Sequence, residues 1–496
     1  MQPKNNKWLG VAIALSLLST GMSQAAPQNE GRWTGVLDWP IIAIHSVLTP
    51  QGKVMNFGTD KNGLQGARFF YDVWDPKLGG QANSHTTLPN TLGVDSFCSA
   101  AIVMPESGNV LMPGGDTRPF GRPNLGIIDS PIFNPRNNIL SKAANMSFAR
   151  WYPTATVLSN GEILVVGGKD GSGRPVTTPE VYSPATNKWR SLFNQSMAGY
   201  PELYPRQWVA PDGRVFGIFS DKTMYYLNLR GGHRPWFLGK LPVSGNVFQS
   251  SSVMYRRGKI LHVGGTGRST NDSVIINIRT GKPWVRAVAK PRQVGRSWVN
   301  SVVLPNGKVM IVGGSQVDNK LRGASYRPEI WDPDTERWSL MAPAAKPRLY
   351  HSTALLLKDG RVLVAGGGAP GPVKNTNAEI FSPPYLFNGS GIAARPKILN
   401  APLEAPYGSR IQVRFRSNEM ISRVTLIKTG AVTHSFNMEQ RFLELSFSET
   451  DSGIQVNIPT SPNNATPGHY LLHLINSNGV PSEAHIIRIS KTAWTG

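Results

Sequence analysis

Seven short hydrophobic runs, each opened by a glycine, recur along the chain at intervals of about 50 residues. They read "GKVMNFG", "GNVLMPGG", "GEILVVGG", "GRVFGIFS", "GKILHVGG", "GKVMIVGG" and "GRVLVAGG", and their opening glycines are Gly52, Gly108, Gly161, Gly213, Gly258, Gly307 and Gly360. Runs of this length, rich in β-branched and aliphatic residues and bounded by glycine, read as strands. Six of the seven are followed by a matching outer segment, "VWDP", "IFNP", "VYSPATNKW", "IINIRTGKPW", "IWDPDTERW" and "IFSPP"; the fourth carries the weaker "YYLNL". A strand unit repeated at a fixed period cannot bury its apolar face alone, so neighbouring units must stack on one another.

A period of about 50 residues is that of the kelch repeat, and several strands per unit make each repeat one blade of a β-propeller around a central channel. Seven copies predict seven blades. The 51 glycines and 39 prolines, with 13 Trp and 13 Tyr, suit many strands joined by turns. The double glycines that close most runs suit a backbone crowded near the axis. After "ARPKILNAP" the repeat stops, and "RIQVRF", "RVTLIKT", "FLELSF", "GIQVNI", "HYLLHLI" and "HIIRIS" follow in about a hundred residues, a density that predicts an immunoglobulin-like sandwich. The expected organisation is all-β: a signal peptide at 1–25, a seven-bladed kelch-type β-propeller at 33–394, and an immunoglobulin-like, early-set β-sandwich at 395–496.

The N-terminus has the layout of a secretory signal: Lys4 and Lys7, an apolar run from Leu9 to about Met22, then small residues up to Ala25 and Ala26. That run is shorter than the roughly 20 apolar residues a spanning helix needs, so the mature chain is expected in a periplasm or outside the cell, with no transmembrane segment after cleavage. A formal charge of +22 points to anionic surroundings such as cell-surface glycans. Its Lys and Arg are scattered and form no nucleic-acid-binding signature, which speaks against nucleic acid.

Cys98 is the single cysteine of the chain. An exported protein usually pairs its cysteines or avoids them. The first strand of each propeller blade lines the channel, and nine or ten residues before six of the seven turn glycines stand Cys98, Tyr152, Tyr204, Phe248, Trp298 and the pair Tyr350–His351. These residues are expected to ring one end of the channel, with Cys98 and Tyr152 side by side on consecutive blades. A thiol, two phenols and an imidazole aimed at one point form a donor set suited to copper. Taken singly each has a plainer reading: a buried cysteine packs as a small apolar residue, and a tyrosine at a blade start is core with a bonded hydroxyl. Their shared register favours the metal.

At these residues the sequence resembles the galactose oxidase and glyoxal oxidase family of copper radical oxidases. "FC" at Phe97–Cys98, "ARWYPT" from Ala149, "RLYHSTALLLKDGRVLVAGGG" from Arg348 and "VTHSFNMEQR" from Val432 carry the likeness in order along nearly the whole mature chain. The "RWYP" form is closer to the glyoxal oxidase branch, since galactose oxidase has glycine in place of Trp151. The resemblance implies a thioether between Cys98 and the ring of Tyr152, which would be both copper ligand and radical site. It implies Tyr350 as axial phenol, His351 as equatorial imidazole, and His434, from a loop of the C-terminal domain, as the second imidazole. His469, His473 and His485 sit in no matching motif and read as ordinary strand residues.

One departure stands out. The tryptophan that stacks on the crosslinked tyrosine in galactose oxidase is replaced by Asp170 in "VVGGKDGSG", so a shield is expected from Trp298 or Phe248. The first blade begins soon after the signal, which leaves no place for an N-terminal carbohydrate-binding domain and turns the expectation away from sugars. The resemblance thus implies an exported oxidase of small aldehydes such as glyoxal and methylglyoxal, or of primary alcohols. It would need copper and the protein-derived Cys98–Tyr152 cofactor, and it would reduce dioxygen to hydrogen peroxide. The competing expectation is a non-catalytic kelch propeller that binds surface glycans. A hydrolase finds neither a nucleophile elbow nor a paired-carboxylate motif. Arg206 in "LYPR" and Gln316 in "GGSQ" are candidate contacts at the rim, and the plainer reading of each is a solvated loop residue.

Overall fold

The computed structural model describes residues 26–66, 69–117, 124–229, 234–265, 271–293 and 295–490; the expected signal peptide at 1–25 lies outside the described residues. Seven antiparallel sheets follow one another in chain order. Their innermost strands are His45–Leu48, Ile102–Val103, Trp151–Val157, Arg206–Val209, Ser250–Arg256, Asn300–Val303 and Ser352–Leu356. The fourth repeat, weak in sequence, is a full blade: Arg206–Val209, Val215–Ile218, Thr223–Leu227 and Trp236–Lys240 pair in order. Blade seven receives its outer strands from the chain's beginning, where Arg32–Trp33 and Leu37–Asp38 pair with Asn377–Ser382. The ring is thereby fastened by hydrogen bonds between its two ends.

The paired glycines mark where blades touch. A Cβ on Gly114 would stand 2.4 Å from the Arg150 carbonyl oxygen, and one on Gly167, Gly264, Gly313 or Gly366 would stand 2.3–2.6 Å from the carbonyls of Glu202, Arg296, Arg348 and Ala43. Each of these glycines also has positive φ. The crowding therefore lies between one blade and the next at five of the seven seams, and Gly366 against Ala43 is the one where blade seven meets blade one.

A second device repeats at the same seams. Arg150, Arg296 and Arg348 are buried, and each pairs with a buried glutamate on the third strand of its blade, Glu180, Glu329 and Glu379, at 2.9, 2.7 and 3.0 Å. Each glutamate also accepts two backbone N–H bonds from the segment leading into its blade, such as Ala345 and Lys346 for Glu379. Each arginine reaches the carbonyl of the first glycine of its pair, Gly167, Gly313 or Gly366. A buried ion pair persists only when its remaining donors and acceptors are bonded, and here those bonds fix the segment that carries the channel-mouth residue.

The C-terminal unit packs two sheets face to face. One holds Lys397–Asn400, Arg410–Arg416, Gly453–Asn457 and Phe447–Thr450; the other holds Glu404–Pro406, His485–Ser490, Gly468–Asn476, Ile421–Lys428 and Phe442–Leu445. Val413, Val424, Leu426, Val456, Leu472 and Ile487 fill the space between them, as alternating inward residues of a sandwich do. One hairpin leaves this unit. Its strands Ala431–Thr433 and Phe436–Asn437 join the inner edge of the first blade, with Val432 opposite Ser46 and Ala431 opposite Val47. That edge faces the channel, so the hairpin delivers residues 434 and 435 into the propeller.

Candidate metal centre

The mouth residues owe their placement to the backbone. Cys98, Tyr152, Tyr204, Trp298 and His351 all have positive φ, at 56°, 68°, 40°, 65° and 65°. A non-glycine residue in this region costs roughly 1–2 kcal/mol, and the cost recurs on five blades at one structural level. Bonds between blades hold it there: Tyr152 N–H donates to the Cys98 carbonyl at 3.1 Å, Tyr204 N–H to the Tyr152 carbonyl at 2.9 Å, and Trp298 N–H to the Gln249 carbonyl at 2.7 Å.

The expected donors converge. Cys98 Sγ, His351 Nε2 and His434 Nε2 all lie within 4.8 Å of one another, all buried. Sγ is 3.9 Å from His351 Nε2 and 3.6 Å from His434 Nε2, and the two Nε2 atoms are 2.8 Å apart. The Tyr152 and Tyr350 hydroxyls touch each other, and the Cys98 thiol lies beside Tyr152, whose side chain favours its ionised form. The His434 ring meets Tyr152 at 4.7 Å and Tyr350 at 5.4 Å between centroids.

Outer partners set the tautomers. His351 Nδ1 donates to the Gly368 carbonyl at 2.8 Å, which leaves the Nε2 lone pair facing His434. His434 Nδ1 lies 2.6 Å from Thr433 Oγ1. Bonding the second ring nitrogen in this way is how proteins orient a metal-ligating histidine. Burial drives His351 down to about 3 and holds His434 well below 6.5, where His351 and His45 push it further, so both rings are neutral at any ordinary pH. Burial holds the phenols of Tyr152 and Tyr350 and the thiol of Cys98 well above their usual values. A cation among them would supply the charge that lets these acids ionise. Two nitrogens about 2.0 Å from one ion at a right angle stand about 2.8 Å apart, as these do, and imidazole with phenolate suits a tetragonal copper site. The residues fit such an ion.

The ring stacked on Tyr152 is neither Trp298 nor Phe248. Trp151, the residue before Tyr152, stacks on the Tyr152 ring at 3.8 Å and 15°. Tyr204 stacks on it as well, at 4.7 Å and 29°. Phe248 is tilted and farther, at 5.9 Å, and Trp298 instead packs on Tyr350 at 4.4 Å, with its indole N–H bonded to Asp318. Asp170 bonds within its own turn, to Ser172 and Arg174. Consecutive strand residues ordinarily point to opposite faces, so stacking of neighbours was hidden from the pattern. The positive φ of Tyr152 removes that restriction, and the same geometry stacks Tyr350 on His351 at 3.7 Å and 25°.

Arg206 also differs from expectation. It is fully buried and bonds to backbone carbonyls inside the ring, because its strand is the innermost of blade four and its side chain points to the channel. Gln316 is exposed, and His469, His473 and His485 lie on sandwich strands.

Comparison with known proteins adds to this geometry. The galactose oxidase-like early set domain matches residues 395–489, the glyoxal oxidase N-terminus matches 292–383, and the kelch motif matches 150–192. Galactose oxidase of Gibberella zeae is 28% identical over 505 residues, which span 95% of this chain and 72% of that protein. Aldehyde oxidase GLOX of Vitis pseudoreticulata is 27% identical over 90% of this chain and 95% of its own length, and aldehyde oxidase GLOX1 of Arabidopsis thaliana is 27% identical over 84% and 75%. In fold, the chain superposes on a fungal alcohol oxidase of the AA5 family, solved with copper, with a TM-score of 0.83 and 24% identity over 93% of this chain and all of that one.

Proposed function

Because the chain belongs to the galactose oxidase and glyoxal oxidase family of copper radical oxidases, we propose that it is an exported oxidase of small aldehydes, taken as their hydrates, or of primary alcohols, with dioxygen as acceptor. The observation that carries this reading is the convergence of Cys98, Tyr152, Tyr350, His351 and His434, drawn from three blades and the sandwich, on one buried point. Export rests on the layout of residues 1–25.

His351, His434, Tyr152 and Tyr350 would hold the copper. When bound, it supplies a Lewis acid for the substrate hydroxyl and a one-electron acceptor that complements the Tyr152 radical. Tyr350, stacked on His351, packed against the tilted ring of Trp298 and touching the Tyr152 hydroxyl, is placed to take the hydroxyl proton as general base. In its oxidised, radical form Tyr152 would accept the hydrogen atom from the substrate carbon. The thioether would form as the Cys98 S–H and one ring C–H break and an S–C bond is made, the two electrons and two protons passing to dioxygen as hydrogen peroxide. Trp151 and Tyr204 cover the ring and keep water from it. Trp151 and Phe248 pack on Tyr152 and Trp298 packs on Tyr350, an aromatic surround that favours a compact aldehyde hydrate or an apolar alcohol over a polyhydroxylated sugar.

The test is a peroxide assay on copper-loaded protein against glyoxal, methylglyoxal, benzyl alcohol and galactose, with intact mass measured before and after copper exposure in air. We expect the mass to fall by two hydrogens and peroxide to follow the aldehydes. Unchanged mass, together with undiminished peroxide from Cys98→Ser, would refute the radical cofactor.

A further inference from the structure

The hairpin that brings in His434 is built against its own turn chemistry. Thr433 pairs with Phe436, so His434 and Ser435 are the two central residues of a two-residue turn, with φ of 46° and 63°. Turns with positive φ at both central positions strongly prefer Asn-Gly or similar pairs. Here histidine and serine occupy them, and an imidazole replaces the residue the backbone would choose.

Two blades bond the carbonyls of that turn. Arg206 Nη2, from blade four, donates to the His434 carbonyl at 3.1 Å, and Ser251 Oγ, from blade five, donates to the Ser435 carbonyl at 2.8 Å. The same Arg206 nitrogen also meets the carbonyls of Phe248 at 2.9 Å, Ser250 at 3.1 Å and Val247 at 3.4 Å, and the guanidinium lies 4.9 Å over the Phe436 ring of the hairpin. Arg206 is fully buried, yet no carboxylate pairs with it among the described residues, unlike Arg150, Arg296 and Arg348. Its Nε and Nη1 are buried without a bonded partner. Desolvation, offset in part by Tyr204, brings it down to about 9, which leaves it charged at neutral pH. A blade seam explains the paired arginines; it does not explain this one.

We propose that Arg206 and Ser251 are positioning residues for the metal centre: they clamp the strained His434–Ser435 turn from two blades, and so keep His434 Nε2 aimed at Cys98 and His351. This rests on His434 being a copper ligand, as in the reading above. Loss of the Arg206 clamp leaves the hairpin paired to blade one but frees its tip to relax, which turns the imidazole away.

The test uses the full chain, loaded with copper(II) alone. Arg206→Met keeps the side chain's length and removes its donors; Arg206→Lys returns one donor; Ser251→Ala removes the second clamp only. Copper affinity is read by competition with a chelator, and the number of coordinated nitrogens by the splitting of the copper electron paramagnetic resonance signal. Outer-shell partners of metal ligands typically contribute 10–100-fold to affinity, so Arg206→Met is expected to weaken copper by that factor and to lose one nitrogen from the signal. Arg206→Lys should recover part of the affinity, and Ser251→Ala should weaken copper several-fold without unfolding. A merely structural arginine would lower the unfolding midpoint of the metal-free protein and leave the nitrogen count unchanged. Wild-type affinity and signal in Arg206→Met overturn the clamp; if that variant does not fold, wild-type values in Ser251→Ala overturn it instead. His434→Ala separates the two readings: unaltered copper binding there refutes the metal centre itself.

Discussion

Removing the indole of Trp151 is expected to change the redox behaviour of Tyr152 while leaving metal binding alone. The two rings are nearly parallel, 3.8 Å apart and inclined by 15°, and Tyr152 is only 4% exposed. A stacked aromatic pair contributes about 0.5–1.5 kcal/mol beyond the area it buries. An oxidised phenol ring is electron-poor and gains more from a facing indole than the closed-shell ring does. If the difference is about 1 kcal/mol, the one-electron potential of Tyr152 rises by about 40 mV in Trp151→Ala, since a tenfold change corresponds to 59 mV. The face left open also admits water, so the lifetime of the oxidised protein should shorten by roughly a factor of ten, as 1.4 kcal/mol of lost protection would give. Trp151→Phe keeps a ring in place and should sit between the two. The assay is a potentiometric titration of copper-loaded protein followed by the decay of its radical signal, with copper content and intact mass as controls. An unchanged potential and lifetime in Trp151→Ala, or an equal change in Trp298→Ala, would show that Trp151 does not shield the radical.

Gly366→Ala places a methyl 2.5 Å from the Ala43 carbonyl at φ 70°, and should destabilise the propeller by about 3 kcal/mol; Gly35→Ala, with open space around it, should not move the denaturant midpoint. Arg348→Met strands the buried Glu379 and is expected to lower unfolding free energy by about 3–5 kcal/mol, while a second change, Glu379→Leu, should restore much of it in urea titrations. Acid should unfold the metal-free protein early. Burial depresses His262 and His469 to about 3 and His473 to about 4, so the stability these rings contribute is fully present above the unfolded value of about 6.5 and is lost as pH falls below it. At pH 5 each then costs about 2 kcal/mol. Chemical unfolding at pH 7 and pH 5 checks the sum of about 6 kcal/mol, and equal stabilities would refute it.

Much of this molecule is legible in its sequence, and for a definable reason. Blade number follows from turn glycines and strand composition, both local properties, and a repeat multiplies a weak local signal until even "YYLNL" is carried by its neighbours. Cys98, Tyr152, Tyr350 and His351 were found by register, because a ring of blades converts equal position in the repeat into proximity. His434 has no such register. It arrives on a hairpin of another unit, and only the resemblance pointed to it. "VTHSFN" lacks the Asn-Gly that would have announced its two-residue turn. Trp151 was passed over as a stacking partner, and Arg206 was misplaced, for related reasons. Alternation puts Trp151 on the face opposite Tyr152, and a positive φ on a tyrosine leaves no mark in sequence. Arg206 follows a tyrosine and a proline, as a rim residue would, but unlike its counterparts it has no third-strand glutamate to betray its burial.

Those failures share a cause that bears on how the site works. Left-handed residues occur at Cys98, Tyr152, Tyr204, Trp298, His351, His434 and Ser435, all at the channel mouth, where glycine would relieve the cost and remove the function. At roughly 1–2 kcal/mol each, they exceed what any one blade could hold alone. The expense is met by seams elsewhere: inter-blade backbone bonds, three buried Arg–Glu clamps behind the mouth segments, and the N-terminal strands that fasten the ring. A closed propeller spreads that load over seven units. The backbone thus presents its donors before any metal arrives, and binding need not order them at its own cost.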